Sequence, residues 1–395
     1  MPEILYILVA LLFVLVWAAG RANGLRQPRK ESTGELARHY FQGINFLLNE
    51  QPDQAIDTFI RSVDVTPHTL ETHLALGNLM RQRGEVDRAI RVHQNLLSRP
   101  SLNQHQLSQA HFELGCDFLK AGLLDRAERL FLDLVEDTSG NFRQESLRHL
   151  VQIYRDEKEW EKAIRAAGMM QKNLFGRANK NLDIEQAHFC CELARQSKDK
   201  GDLLGARRHL RAALRFNKNS ARANILWGDL EMSALNYQAA LKYYCMAPQQ
   251  QVDCLPEVLG SVRQCYNNLD DQEGLFKQLS AWLKEYPGTS VLQSLVDVIR
   301  KRDGEDEAAL FLGESLTINP SIKGLSTLLD IRIRNSQGVI RDNLSLLQNV
   351  LEELAHRQSN YRCLQCGFKG AQLHWLCPQC KNWETIKPIR GLEGE

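Results

Sequence analysis

The feature that most constrains this chain is a pair of small residues, twelve positions apart, that recurs along its middle. Successive pairs begin 34 residues apart in two places, from Gly43 to Gly77 and from Ala194 to Gly228. A fixed period of this length is typical of a stack of similar units rather than of one globular core. The five pairs are Gly43/Ala55, Gly77/Ala89, Gly115/Ala127, Ala194/Ala206 and Gly228/Ala240.

Other positions keep the same register. An aromatic residue follows the first small residue by three positions, and another follows the second by four. These residues are Phe46, Phe118 and Tyr154, then Phe59, Phe131 and Tyr244, with Pro67 twelve after Ala55. The stretch resembles tetratricopeptide repeats, which predicts a mainly α superhelical solenoid. We expect about eight units between Leu36 and Pro320, one of them degenerate at Val151 and Ala163, and further helix to about His356.

These residue types have a physical reason. Two helices of a hairpin approach closely only where the facing side chains are small, and aromatic rings fill the volume beside the crossing. Gly84, Gly122 and Gly201 are predicted to end first helices, because glycine tolerates a left-handed backbone. No segment shows the sustained two-residue alternation of a strand.

A stack of helical hairpins offers a face that holds a peptide or a partner helix. Of the residues that could clamp a peptide carboxylate, Asn78 alone is suitably placed, so that mode is not expected. No phosphate loop, nucleophile elbow or zincin motif occurs, which predicts a protein that is not an enzyme. The 49 basic and 48 acidic residues give a formal net charge of only +1. The chain as a whole therefore has no positive electrostatic potential that would attract nucleic acid, and a nucleic-acid-binding protein is not expected.

The amino terminus predicts a membrane anchor. Every residue from Ile4 to Ala19 is apolar or aromatic, and the segment from Pro2 to Gly20 spans about 28 Å as a helix, close to the thickness of a bilayer core. The predicted anchor is residues 1–20. The basic residues follow the run, which places the bulk of the chain on the cytoplasmic side. A leader cleaved near Gly20 is the alternative. The basic residues of the predicted linker, 21–35, are Arg21, Arg26, Arg29 and Lys30.

The carboxyl end carries the strongest local signal. Cys363 and Cys366 form one C-x-x-C pair, and Cys377 and Cys380 form another, ten residues further on. Each C-x-x-C pair forms a tight turn, here called a knuckle. Two knuckles that face each other place four sulfurs at the corners of a tetrahedron, which is the geometry of structural zinc. A redox-active dithiol is the competing interpretation. His374 could replace one ligand, although four cysteines already complete the set.

A metal also explains how so short a segment folds. Domains under about 40 residues rarely bury enough surface to fold unaided, and the predicted metal domain is residues 358–395, after an array at 36–357. The knuckles resemble those of rubredoxin, which implies iron as the alternative to one Zn²⁺. They stand closer together than in rubredoxins, and Lys381 replaces a usual glycine. We expect Tyr361, Phe368, Trp375 and Trp383 to form an aromatic cluster.

Taken together, the three parts resemble the lipopolysaccharide assembly protein B family. The resemblance implies a single-pass protein of the bacterial inner membrane with a cytoplasmic repeat array and a rubredoxin-like metal domain. It also implies a non-enzymatic adaptor that helps the membrane protease FtsH degrade LpxC, the deacetylase of the lipid A pathway. A membrane partner that senses lipopolysaccharide would control this degradation. The stretches that carry it are residues 43–57, 76–94 and 218–225, with YRCLQCGF and WETIKPIRGLEG near the end.

Two other classes of function are open at this stage. A general scaffold for envelope-assembly enzymes needs no protease, and a rubredoxin-type electron carrier needs iron at Cys363, Cys366, Cys377 and Cys380. The sequence does not fix the surfaces that bind client or protease, nor the oligomeric state, and a homodimer is one of the open states.

Overall fold

The computed structural model describes residues 70–98, 102–137, 140–170, 180–356, 359–392 and 394–395, with shorter stretches between residues 41 and 58. The predicted anchor and linker, and most of the first repeat unit, lie outside the described residues. Within the described part, no helix is long and apolar enough to cross a membrane. The chain divides into two compact units, Met1–Asp156 and Glu157–Glu395.

The first unit is helical over its described length. Consecutive helices pack as hairpins joined by turns of a few residues, and helix α3 begins with a capping box formed by Asn103 and Gln106. Its helices are α1 (Leu70–Gln82), α2 (Val86–Leu97), α3 (Gln104–Lys120), α4 (Leu124–Glu136) and α5 (Arg143–Asp156).

The second unit is also built of helical hairpins, and it ends in a small sheet. A short 3₁₀ turn, Val252–Cys254, interrupts the helices between α10 and α11. The helices are α6 (Trp160–Met170), α7 (Lys180–Asp199), α8 (Leu203–Phe216), α9 (Ala221–Ser233), α10 (Tyr237–Gln250), α11 (Leu255–Asn268), α12 (Gln272–Glu285), α13 (Thr289–Arg302), α14 (Glu305–Ile318), α15 (Ile322–Arg334) and α16 (Gly338–His356).

The turns inside the hairpins use a left-handed residue, as expected from the sequence. Gly84, Gly122 and Gly201 have φ values of 83°, 75° and 80°. In two later hairpins the same role falls to Leu235 and Asp270, with φ values of 58° and 54°. Side chains rarely adopt this conformation, so these two turns carry some strain.

The small residues of the repeat have a more specific role than helix approach alone. A methyl group on Gly115 would stand 2.8 Å from the ring of Phe131, and one on Gly228 would stand 2.6 Å from Tyr244. Each glycine therefore leaves room for the aromatic ring four residues after the second small position. The alanines at that second position are fully buried, with no exposed surface at Ala89, Ala127, Ala206 or Ala240.

We expect Gly228→Ala to destabilise the second unit and Gly260→Ala to leave it as stable or slightly more so. Overpacking a filled core costs about 1 to 3 kcal/mol, and nothing lies within 4 Å of a methyl group built on Gly260. Both changes replace a glycine within a helix by alanine, and the higher helix propensity of alanine stabilises each variant by about 1 kcal/mol at most. Urea unfolding of the two variants measures the difference, and equal stabilities would contradict this account of the glycine.

The carboxyl end folds into a three-stranded antiparallel sheet, ordered β2-β1-β3. Strand β1 pairs Cys363 with Ile386 and Tyr361 with Pro388. The predicted combination of a helical repeat solenoid and a small four-cysteine ribbon is confirmed, while the transmembrane helix stays a prediction. The strands are β1 (Tyr361–Cys363), β2 (Lys369–Gly370) and β3 (Ile386–Pro388); residues 358–395 are called the ribbon below, and the repeat helices the array.

Candidate metal centre and its docking surface

Two similar turns build the candidate metal centre. In the first, the N–H of Gly367 donates to the carbonyl of Cys363 at 3.1 Å, and in the second the N–H of Lys381 donates to the carbonyl of Cys377 at 3.0 Å. Gly367 and Lys381 both have a positive φ, 78° and 56°. Lys381 therefore adopts the backbone conformation of the glycine that it replaces, and the departure from the rubredoxin pattern does not alter the turn.

The four sulfurs are arranged as a tetrahedral metal requires. Cys363 Sγ lies 3.7 Å from Cys380 Sγ, and Cys366 Sγ lies 3.6 Å from Cys377 Sγ. All four sulfurs lie within 4.8 Å of one another. Sulfurs bound at about 2.3 Å to one zinc ion would stand about 3.8 Å apart. The cysteines thus form a metal-binding site, and His374 packs its ring against Phe368 instead.

Hydrogen bonds prepare two of the thiols to ionise. Burial raises the pKa of Cys363, but a hydrogen bond with the Thr385 hydroxyl and bonds from backbone N–H groups lower it to about 6. A hydrogen bond from Asn382 lowers the pKa of Cys380. The Phe368 N–H lowers the pKa of Cys366, but burial and the three neighbouring thiols outweigh it and raise the value to about 12. Because metals bind thiolates, this pattern favours a cation at the centre.

The predicted aromatic cluster is wrong in part. Tyr361 and Phe368 do pack in the small core of the ribbon, around Cys363, Cys377 and Ile386. Trp375 and Trp383 instead face the array. Indole rings bury a large apolar area, so the surface of the array supplies what the ribbon is too small to provide.

The ribbon is docked on the array within the second unit, first through His188 of α7. The His188 ring stacks on Trp383, with centroids 4.4 Å apart and planes inclined by 7°. Its Nε2 lies 3.0 Å from Glu384 Oε1. Burial lowers the pKa of His188, and the hydrogen bond from His188 lowers that of Glu384. The contact therefore pairs the buried imidazole of His188 with the carboxyl group of Glu384.

Arg222 of α9 adds a charged contact to the same region. Its guanidinium lies 5.9 Å from the ring centroid of Trp375 and 5.8 Å from that of Trp383. The same group donates to Glu192 of α7 at 2.6 Å. Arg222 is 6% exposed and Glu192 is 8% exposed. A buried ion pair on the array thus supports both tryptophans of the ribbon.

A second group of contacts involves the start of α11. Asp253 accepts from Arg390 at 2.7 Å and lies 3.3 Å from the ammonium of Lys387. The Tyr361 hydroxyl donates to Glu257, and burial, reinforced by Glu257, raises the pKa of Tyr361. Acidic groups of the array thus meet basic and hydroxyl groups of the ribbon.

The last residues of the chain contact the later helices. Glu395 Oε2 accepts from the N–H of Ser290 at 3.0 Å and from its hydroxyl at 2.8 Å. The carboxylate therefore lies at the amino terminus of α13, where the helix dipole favours an anion. The N–H of Ile322, at the start of α15, donates to the carbonyl of Leu392 at 3.0 Å. We call His188, Arg222, Asp253, Glu257 and Ser290 the docking surface.

Sequence reasoning found the four cysteines but missed the docking surface. In the sequence, the histidine of the docking surface is one of several isolated histidines. The acidic residues of the docking surface look like those on any solvent-exposed helix. The resemblance at WETIKPIRGLEG was the one local signal, because those residues lie outside the knuckle pattern. Asn78, the one candidate for a carboxylate clamp, accepts a hydrogen bond from Arg81 at 2.7 Å.

The fold and the site define a tetratricopeptide-repeat protein with a carboxyl-terminal four-cysteine ribbon. A family model described as a rubredoxin metal binding domain matches residues 361–388, and a tetratricopeptide repeat model matches residues 72–105. Lipopolysaccharide assembly protein B of Escherichia coli K12 is 36% identical over 395 residues, and that of Haemophilus influenzae Rd is 31% identical over 402 residues; all of each chain is covered. The chain belongs to the lipopolysaccharide assembly protein B family.

Solved structures of other repeat proteins are similar to parts of the chain. A tetratricopeptide repeat protein from Parabacteroides merdae is 13% identical, with a TM-score of 0.34. The match covers 67% of this chain and 98% of that chain. The carboxyl-terminal part of a repeat protein from Cytophaga hutchinsonii is 12% identical, with a TM-score of 0.41. The match covers 65% of this chain and 99% of that chain.

Proposed function

We propose that this protein is a membrane-tethered, non-enzymatic adaptor that regulates lipopolysaccharide biosynthesis by promoting degradation of LpxC by FtsH. The observation that carries the proposal is the full-length match, at 36% identity, to a protein named for lipopolysaccharide assembly. The repeat array and the metal ribbon are features of a binding protein, which supports the adaptor class. The client, the protease and the lipopolysaccharide-sensing partner come from the family resemblance.

The predicted anchor at residues 1–20 gives the proposal its physical basis. An anchor confines the array to the inner membrane, with the bulk of the chain on the cytoplasmic side. Two proteins held at one surface have a raised effective concentration, so modest affinities suffice for capture. An adaptor of this kind needs no catalytic group, only surfaces for a client and a protease.

The metal in this proposal is one structural zinc ion. Four cysteines complete a tetrahedral shell, which is the arrangement of structural rather than catalytic zinc. The docked ribbon makes specific contacts with the array at His188, Arg222 and Ser290. Those contacts support a structural role, whereas a carrier function would require iron and a reversible redox change.

The test is the lifetime of LpxC in cells that lack this protein and carry one of two replacements. The full chain is expected to restore rapid turnover, whereas a chain without residues 1–20 should fold but fail to restore it. Immunoblotting after translation is stopped gives the lifetimes, and equal expression of the two chains is the control. If LpxC is turned over equally fast without the protein, the adaptor proposal is wrong and the general scaffold takes its place.

A further inference from the structure

One side of helix α8 carries a row of exposed basic residues. The row begins with a leucine and continues with three arginines, at steps of four, three and four positions, so its members lie along one face of the helix. They are Leu204, Arg208, Arg211 and Arg215. All four are exposed. None of the three arginines forms an ion pair with any residue that the structure describes, whereas their neighbour Arg207 pairs with Glu231 at 3.1 Å.

The stretch of sequence that contains this row lacks acidic residues. Residues 203–228 contain six arginines and lysines and no aspartate or glutamate. Helix α10, the second helix of the next hairpin, has no acidic residue and exposes Lys242. Asp202, just before α8, accepts from the N–H of Gly205 at 2.8 Å and caps the helix. A chain with almost no net charge thus has a strongly basic local surface.

Two exposed leucines lie at the turns of the same two hairpins. Leu204 is 73% exposed and Leu235 is 71% exposed. Because turns inside successive hairpins stack along one edge of a solenoid, both leucines belong to the same edge. Leu235 also has a φ of 58°, a conformation that costs free energy for a side chain. Most of the Leu235 side chain is thus left uncovered by the rest of this unit.

We propose that the basic face of α8, formed by Leu204, Arg208, Arg211 and Arg215, together with Lys218 after the helix and Leu235 in the next hairpin, rests on an anionic phospholipid surface. Guanidinium groups bind phosphate oxygens in pairs, and Arg is well suited to that contact. Leucines at the end of the row enter the boundary between headgroups and acyl chains. The chemistry therefore matches the negatively charged face of a bilayer.

The arrangement favours a membrane over an acidic protein. Protein interfaces usually place their apolar residues at the centre and their charges at the rim. Here the leucines lie at one end of the basic row, which is the order met on entering a bilayer from the headgroups. The proposal rests on the proposed function only for the tether, which brings the array close to a membrane.

The experiment uses the full chain in nanodiscs, with p-benzoylphenylalanine introduced at Leu204 and light used to form adducts. Discs contain phosphatidylglycerol with phosphatidylcholine, or phosphatidylcholine alone. Leu310 is the matched control position, because it is 55% exposed and its helix, α14, contains no basic residue. Mass spectrometry identifies each adduct as lipid or protein. Neither client nor protease is present, so a failure here is distinct from a failure of the proposed function.

Lipid adducts are expected at Leu204 in discs with phosphatidylglycerol and not at Leu310. The triple variant Arg208→Gln, Arg211→Gln, Arg215→Gln is expected to weaken docking on the order of a hundredfold, since each basic residue near an anionic surface contributes a factor of about five. The matched triple, Lys277→Gln, Lys284→Gln, Lys301→Gln, should leave the yield unchanged. Circular dichroism checks that both variants fold.

Three results would overturn the proposal. One is a lipid yield at Leu204 no higher than at Leu310. Another is a yield that survives the triple arginine variant or the loss of phosphatidylglycerol. The third comes from the same probe in cells, where adducts to a protein in place of lipid would assign the basic face of α8 to an acidic protein partner.

Discussion

Replacing Cys363 with serine is expected to release the metal, unfold the ribbon and leave the helices of the array formed. A structural zinc ion contributes about 10 to 16 kcal/mol at neutral pH, far more than the small core around Tyr361 and Ile386 can supply. The helices of the array are stabilised by neighbouring hairpins, so they do not depend on the metal. Metal analysis, circular dichroism and limited proteolysis after residue 356 report the three effects.

Cys116→Ser is the matched control for this experiment. Cys116 is half-buried in the first unit, and burial raises its pKa to about 12, so it offers no thiolate to a metal. The control should keep one metal ion per chain. Retention of the metal in Cys363→Ser, or loss of most helix signal, would contradict the assignment. Iron near one per chain, with reversible bleaching on reduction, would favour the electron carrier.

The second large effect is expected from Arg222→Ala. This change removes the ion pair with Glu192 and both contacts with the tryptophans of the ribbon. Breaking a buried ion pair costs about 3 to 5 kcal/mol. Arg195 still pairs with Glu192 at 2.7 Å, so we expect the lower end of that range. The ribbon should also become more sensitive to protease.

Arg207→Ala provides the comparison for Arg222→Ala. Arg207 also pairs with a glutamate, Glu231, but a third of its side chain is exposed, and such pairs contribute about 1 kcal/mol or less. Urea unfolding followed by tryptophan fluorescence compares the two variants. Equal losses of stability would show that Arg222 acts as an ordinary surface charge and that the docking contacts contribute little.

The repeat fold could be predicted because its physical requirements recur at fixed spacing. In two hairpins a glycine stands where an aromatic ring must fit, as Gly115 does beside Phe131 and Gly228 beside Tyr244. The metal centre was predictable for a similar reason, since four cysteines in two short turns leave few alternatives. Local rules of this kind are visible in a single sequence.

The docking surface could not be predicted, because its contacts join residues far apart in the chain. His188 and Glu384 are separated by 196 positions, and Ser290 and Glu395 by 105. No local pattern marks one buried histidine or one helix terminus as the partner of a distant segment. The two tryptophans were assigned to the wrong core because the sequence does not show which surface covers them.

The docked ribbon has a consequence for how the second unit folds. A simple solenoid has only near-neighbour contacts, so its hairpins can form and melt one after another, with low contact order. Here residues 361–395 bind to helices that begin as early as residue 180 and as late as residue 322. The ribbon thereby adds contacts between hairpins that are distant in the chain, on top of the contacts that each hairpin makes with its neighbours. During synthesis these long-range contacts form only after residues 361–395 have left the ribosome.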